Sequence, residues 1–223
     1  MVSLQSQDKK ITVLLADDHP VSRAGIRTIL NSAPDIQVIG EAASGFDVQE
    51  IVGELLPQVL LLDLQMPGPR PSELECWVRE RYPEIVTLIL TAHNRDAYLA
   101  TMMDAGVVGF LSKEESEHSL ISSIRLAVKG EILFSQEQIE RAAHWRSVAG
   151  MKWGSLTERQ REVLRLVARG MQNAKIADEL GVTTKTVAYH MTKIMKRLGV
   201  STRSEAVAWL MQHAPEHLEE ARG

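Results

Sequence analysis

The chain has 223 residues, enough for one large domain or two small ones with a real core. Apolar residues make up 44% and charged residues 24%, which excludes wholesale disorder; a single cysteine, Cys76, excludes an intrachain disulfide. The net charge of −4 hides an asymmetry: residues 1–128 hold 10 Lys and Arg against 18 Asp and Glu, while residues 155–212 hold 10 against 5, which suggests two domains with different partners.

Short β-rich runs alternate with helical stretches through the first half. The runs are Ile11–Ala16, Gln37–Ala42, Val59–Leu62, Thr87–Thr91 and Gly109–Ser112. Between and after them lie Val21–Asn31, Phe46–Leu56, Ser72–Arg81, Asp96–Ala105 and Ser116–Val128. Val59–Leu62 shows no alternation, as expected for a central strand covered on both faces. Pro20 suits a helix first turn, and Pro57 and Pro83 follow helices. Residues 1–128 therefore predict an α/β fold, a (βα)5 doubly wound parallel sheet.

After Lys129-Gly130 the strands stop. Ser135 and Gln138 have capping-box spacing and open a helix to Val148, with Ala149-Gly150 and Gly154 marking its end. Residues 129–154 read as a linker with one helix. Residues 155–223 read as a small all-α domain. Thr157 and Gln160 cap Glu158–Arg169, and Ala174–Leu180, Thr184–Leu198 and Arg203–His213 follow.

Polar residues stand at the carboxyl ends of the strands. Asp17 and Asp18 follow the first, Asp63 follows the third, Thr91 closes the fourth and Lys113 lies past the fifth. In an open α/β sheet these ends face one crevice. Carboxylates crowded there repel one another, and a hard divalent cation such as Mg²⁺ relieves the repulsion. One carboxylate can act as a nucleophile toward phosphorus, with lysine and threonine neutralising the phosphoryl oxygens. His19 reads as a surface or capping residue, Cys76 beside Trp77 as helix packing, and Met102 and Met103 as core filler.

Leu15-Ala-Asp-Asp-His19, Leu62-Asp-Leu-Gln-Met-Pro67, Leu90-Thr-Ala92 and Gly109-Phe-Leu-Ser-Lys113 resemble the receiver domain of two-component response regulators over residues 10–128. The resemblance implies that Asp63 is the phosphoacceptor, fed by a sensor histidine kinase. It implies that Asp18, Asp63 and the backbone of Gln65 hold Mg²⁺, with Asp17 acting through water. Thr91 and Lys113 would bind phosphoryl oxygens, and Phe110 takes the place of the family's switch aromatic. One departure is Pro67-Gly-Pro-Arg-Pro71, which lacks the glycine usual near its end and should be stiff.

In the helical domain, Ala177, Gly181 and Val187 have helix-turn-helix spacing: a small residue at the crossing, a glycine in the turn and a β-branched lock. Val187, Met191, Ile194 and Leu198 form an inward stripe. Lys185, Ala188, Tyr189, Thr192, Lys193 and Lys196 face the other way, with charge for phosphates and side chains for base edges. Leu156–Leu164, Ile176-Ala177, Thr186-Val187, His190, Lys196–Val200 and Glu205–Val207 resemble the LuxR-type helix-turn-helix. With a receiver this gives the NarL/FixJ class. That class implies double-stranded DNA as partner and a homodimer on phosphorylation, through Arg203–His213 with Ala206, Val207 and Leu210 as its patch. Ala188 and Thr192 stand where relatives often carry Lys, and Tyr189 where they carry a small apolar residue.

The expected function is a phosphorylation-controlled transcription regulator, with no enzyme activity beyond its own phosphorylation and dephosphorylation. One alternative is a phospho-regulated protein whose helical domain binds protein, which the basic face argues against. Another is an aspartyl-phosphate enzyme of the haloacid-dehalogenase type, which needs a second Asp where Gln65 stands. The polar segment Met1–Lys10 has no signal core, and the longest apolar run, Ala206–Met211, is too short to span a bilayer. A cytoplasmic location and no membrane partner are expected.

Overall fold

Strands β1 (Ile11–Ala16), β2 (Ile36–Ala42), β3 (Val59–Leu62), β4 (Val86–Thr91) and β5 (Gly109–Ser112) form one sheet in the order β2-β1-β3-β4-β5. All four pairings are parallel. The computed structural model describes residues 10–92 and 94–213. The start of the polar N-terminal segment and the 214–223 tail, both included in the domain bounds above, lie outside the described residues.

Helices α1 (Pro20–Ser32), α2 (Gly45–Leu55), α3 (Pro71–Arg81), α4 (Asp96–Ala105) and α5 (Glu117–Ala127) follow the strands in turn. Local sequence explains their starts. Pro20 and Pro71 occupy first helical positions, where a missing N–H costs nothing. Ser44 and Ser116 cap α2 and α5 by accepting from Asp47 N at 3.1 Å and Ser119 N at 3.2 Å.

The strand pattern sorts side chains to the two sheet faces. Val13, Leu15, Val59 and Leu61 pack with Ile26 and Leu30 of α1 and Leu120 and Ile124 of α5. Leu14, Leu60 and Leu62 alternate with them and are fully buried on the other face. Truncating any one to alanine would cost about 2–5 kcal/mol. Because β1 lies between β2 and β3, the strand order reverses there, and the carboxyl ends of β1 and β3 open a crevice.

Contacts divide the chain into two compact units, Met1–Arg95 with Thr101–Gln138, and Asp96–Ala100 with Ile139–Gly223. Both α4 and the next helix, α6 (Gln136–Trp145), begin in one unit and end in the other.

The linker corrects the sequence expectation twice. Strand pairing does not stop at Gly130: Leu133 forms a parallel bridge with Gly109, and its N–H donates to Val108 O at 2.7 Å. Nor does Gly150 end the helix, which stops at Ser155, one residue past Gly154. A π-turn, Arg146–Gly150, and α7 (Met151–Ser155) continue it, with Gly150 in ordinary helical conformation. Two helical glycines cost only about 1 kcal/mol each. The Trp145 ring packs against Gly150, where an added Cβ would meet it at 3.2 Å, and Trp153 buries itself in the helical core. Cys76 is also corrected, lying exposed on α3 while the neighbouring Trp77 packs edge-on to Tyr82.

The second unit continues with α8 (Glu158–Ala168), α9 (Asn173–Leu180), α10 (Thr184–Leu198) and α11 (Arg203–His213). Val163, Leu164, Ile176, Val187, Ile194 and Leu198 form its core. Trp153 stacks on Trp209 with centroids 6.4 Å apart. Ala206 and Leu210 do not form an outward patch. They are completely buried in this core, because their spacing turns them inward beside Leu198. Val207 is half-buried.

Candidate functional site

Asp17, Asp18, Asp63 and Lys113 meet where β1, β3 and β5 end. Lys113 Nζ lies 2.6 Å from Asp63 Oδ2 and 2.8 Å from Asp17 Oδ2. Asp63 Oδ1 accepts from Leu64 N at 2.7 Å. Asp17 accepts from His19 N at 2.9 Å and from Ser22 Oγ at 2.6 Å. Burial would raise the Asp17 carboxyl, but donation by Lys113, Ser22 and His19 N–H outweighs it and holds the carboxyl below the ordinary aspartate value. Burial likewise opposes the Lys113 charge, yet the two carboxylates keep the ammonium above the usual lysine value. The lysine is therefore a fixed cation at the floor of the crevice.

The mouth is wetter. Asp18 is about one-third exposed, and His19 Nδ1 lies 2.6 Å from Asp18 Oδ1. Asp17, Asp18, His19 and Asp63 each offer one ligand atom within 4.8 Å of the others. An oxygen-rich set that is closed below and open to water above suits a hard divalent cation. Gln65 is half-buried, two residues past Asp63.

The loop after β3 is pinned. Gly45 N donates to Pro67 O at 2.8 Å. Gly68 sits at φ +125, and a side chain there would meet the backbone nitrogens of Gly45 and Phe46 at 3.1 Å. Pro71, standing near the usual glycine, begins α3 instead.

Thr91 and Phe110 are buried, Thr91 at the carboxyl end of β4 and Phe110 within β5. Thr91 pairs with Ser112 in the sheet, and its carbonyl accepts from Lys113 N at 3.0 Å. Sequence reasoning did not single out Ser22 and Arg23. Arg23 donates to Asp17 O and to Glu41 Oε2, the latter at 3.0 Å. Both lie in the first turn of α1, and no helical spacing marks them because Asp17 precedes the helix. His19 stands at the N-cap of α1 but makes no side-chain cap bond.

In the helical unit, Gly181 takes the left-handed turn at φ +64, Ala177 is buried at the crossing, and Val187 is completely buried. Thr183 caps α10 by accepting from Thr186 N at 3.1 Å. Lys185, Ala188, Tyr189, Thr192, Lys193 and Lys196 are all exposed, as their spacing predicts. Lys193 Nζ lies 5.4 Å from the centroid of the Tyr189 ring, and Thr192 Oγ1 donates to Ala188 O at 3.1 Å.

Residues 13–125 match the response regulator receiver domain family, and residues 154–210 match the LuxR family of bacterial regulatory proteins. The chain belongs to the response regulators. It is 32% identical to the nitrate/nitrite response regulator protein NarL of Escherichia coli K12, over 93% of this chain and 98% of that protein. It is 34% identical to the response regulator protein VraR of Staphylococcus aureus strain Mu3, over 91% of this chain and 97% of VraR. Among solved structures, Salmonella typhimurium RcsB aligns with a TM-score of 0.62 at 27% identity, covering 91% of this chain and 98% of that one. An RcsB–DNA complex aligns at 0.59 and 27% identity, covering 92% and 99%.

Response regulators that join a receiver to a LuxR-type domain are DNA-binding transcription regulators, and both parts are present here. Among the described residues, no helix is long and apolar enough to cross a membrane.

Proposed function

We propose that Asp63 accepts a phosphoryl group from a sensor histidine kinase and that this controls DNA binding by the helical domain. The bridging of Asp63 and Asp17 by Lys113, at 2.6 and 2.8 Å, carries the reading. An Asp63 carboxylate oxygen attacks phosphorus, the bond from phosphorus to the kinase imidazole breaks, and the imidazole nitrogen keeps the electron pair. Lys113 neutralises charge on the transferred group, and the Thr91 hydroxyl donates to one of its oxygens. Asp18 and Asp63, with the backbone of Gln65 and with Asp17 through water, are the residues to hold Mg²⁺, whose positive charge screens the incoming phosphoryl oxygens from the carboxylates. Phe110 is the switch aromatic beside Thr91. The receiver catalyses only its own phosphorylation and dephosphorylation.

Residues 1–128 form the receiver, 129–154 the linker and 155–223 the DNA-binding domain. On α10, Lys185, Lys193 and Lys196 contact phosphates, while Ala188, Tyr189 and Thr192 face base edges. Phosphorylation favours a homodimer through α11, whose exposed residues Ser204, Ala208 and Met211 replace the buried Ala206 and Leu210 as the candidate face. The protein works in the cytoplasm. The test is labelling by acetyl phosphate in Mg²⁺: wild type should label stoichiometrically and Asp63→Asn should not. Full labelling of Asp63→Asn would remove the assignment.

A further inference from the structure

Two contacts tie α6 to β5 and to the first turn of α4, each lying within its own unit. In the first, the Gln138 side chain acts twice. Its Oε1 accepts from Ser135 N at 3.0 Å while Ser135 Oγ accepts from Gln138 N at 3.1 Å, which closes the capping box. Its Nε2 then donates to Phe110 O in β5 at 2.9 Å. In the second, Arg141 grips Asp96 in the first turn of α4, through Nε at 2.8 Å and Nη2 at 2.7 Å. One turn later, Arg146 donates to Ala100 O at 3.3 Å.

Both anchors lie close in sequence to pocket residues. Phe110 lies in β5, three residues before Lys113, which follows the strand. The end of that strand is fixed to β4 by the Thr91–Ser112 pairing and the Lys113 N–H. Lys113, whose head meets Asp63 Oδ2, is attached directly to this anchored strand end. The α4 helix follows Thr91 by five residues.

We propose that α6 reads the state of the pocket through a two-point clasp, Gln138 on β5 and Arg141 on α4. The inference rests on Asp63 accepting a phosphoryl group, as proposed above. When Lys113 leaves Asp63 for phosphoryl oxygen, the end of β5 moves, the Gln138–Phe110 bond breaks and α6 loosens. Gln138 and Arg141 are positioning residues and touch no reacting atom. Such coupling needs contacts that differ between two states, and these two bonds supply them.

The test uses the full-length protein with acetyl phosphate and Mg²⁺. Phosphate-affinity gels report Asp63, and amide hydrogen exchange reports residues 136–145. Phosphorylation should speed α6 exchange about tenfold. Gln138→Glu keeps the cap acceptor but loses the donor. It should be phosphorylated like wild type, yet exchange fast in α6 before any phosphodonor is added. Arg141→Asp should do the same, and adding Asp96→Arg should restore slow exchange. Unchanged α6 exchange in fully phosphorylated wild type overturns the clasp. If wild type takes no phosphoryl group, the reading of Asp63 fails instead. The clasp then stands or falls on Gln138→Glu, whose α6 exchange must exceed that of wild type.

Discussion

Arg197 Nη1 donates to Gln160 Oε1 at 2.6 Å, the same oxygen that accepts the Thr157 N–H at 3.0 Å. An arginine of α10 thus grips the capping box that starts α8. Its neighbour Lys196 is simply exposed. Arg159 and Arg203 behave like Arg197, donating to Leu180 O at 2.5 Å and to Asn173 Oδ1 at 2.8 Å. Much of the positive charge of this domain braces its own helices rather than meeting a partner.

The two neighbours should separate cleanly on mutation. Arg197→Ala is expected to lower the unfolding free energy by about 1–2 kcal/mol, the range for a charge-assisted, partly buried bond. It should leave the salt dependence of DNA binding unchanged. Lys196→Ala should change stability by less than about 0.5 kcal/mol but reduce the slope of log K against log salt by about 0.9 for each phosphate it no longer neutralises. Urea melts and salt titrations of DNA binding, run on both variants, check this.

Tyr189 and Lys193 should not act independently. Lys193→Ala should weaken specific and non-specific DNA alike and lower the salt slope. Tyr189→Ala should relax the preference at one or two base pairs, at about 1–3 kcal/mol per base contact, with little change of slope. Because the lysine head lies over the ring, the double variant should lose about 0.5–1 kcal/mol less than the sum. Binding-site selection on Tyr189→Ala, with a double-mutant cycle, measures both. An unaltered sequence preference removes the base-reading role.

Lys113 is at once the partner of a phosphoryl group and a rival to a metal ion. Lys113→Ala leaves Asp17 and Asp63 facing each other without a cation. Mg²⁺ affinity by titration calorimetry should then rise about tenfold. Labelling from acetyl phosphate should nevertheless slow by about 100-fold, because the charge that stabilises transfer is gone.

Glu75 of α3 is 3% exposed, and its Oε2 has no hydrogen-bond partner among the described residues. Burial pushes its carboxyl above the ordinary 4.5, and the Thr87 hydroxyl and the Arg79 charge only partly offset this. The raised folded pKa sets the sign. The group costs nothing below the unfolded value, and the penalty grows as pH rises from there through the folded value. Glu75→Gln should match wild type near pH 4 and be the more stable protein near pH 7.5, because the amide never carries a buried charge. Urea melts at both pH values decide it.

The parallel sheet with its central strand and the pocket membership were readable because each rests on strong local rules. Val59–Leu62 has no polar alternation and could only be central, and residues at strand ends converge whatever the loops do. The linker was less readable. Gly150 carries the local signature of a stop, and the packing of Trp145 against it and of Trp153 in the helical core overrides it. Ala206 and Leu210 are apolar, and their composition alone does not say whether they face a partner or their own core. Arg159, Arg197 and Arg203 entered only the charge count, because no periodicity reveals that their partners lie on other helices. Ser22 and Arg23 went unnoticed because their roles depend on where Asp17 points.

The backbone pairing of Leu133 bears on how a receiver fragment should be cut. The outward carbonyls of Val108 and Phe110 are both taken by residues beyond α5, at 2.7 Å by Leu133 N and at 2.9 Å by Gln138 Nε2. A fragment ending at Val128 would bare the outer edge of β5, and an unpaired edge recruits strands from other molecules. Such a fragment should aggregate during purification where one ending after Gln138 stays monodisperse. The segment joining the two domains is thus also a cover strip that keeps the sheet from growing.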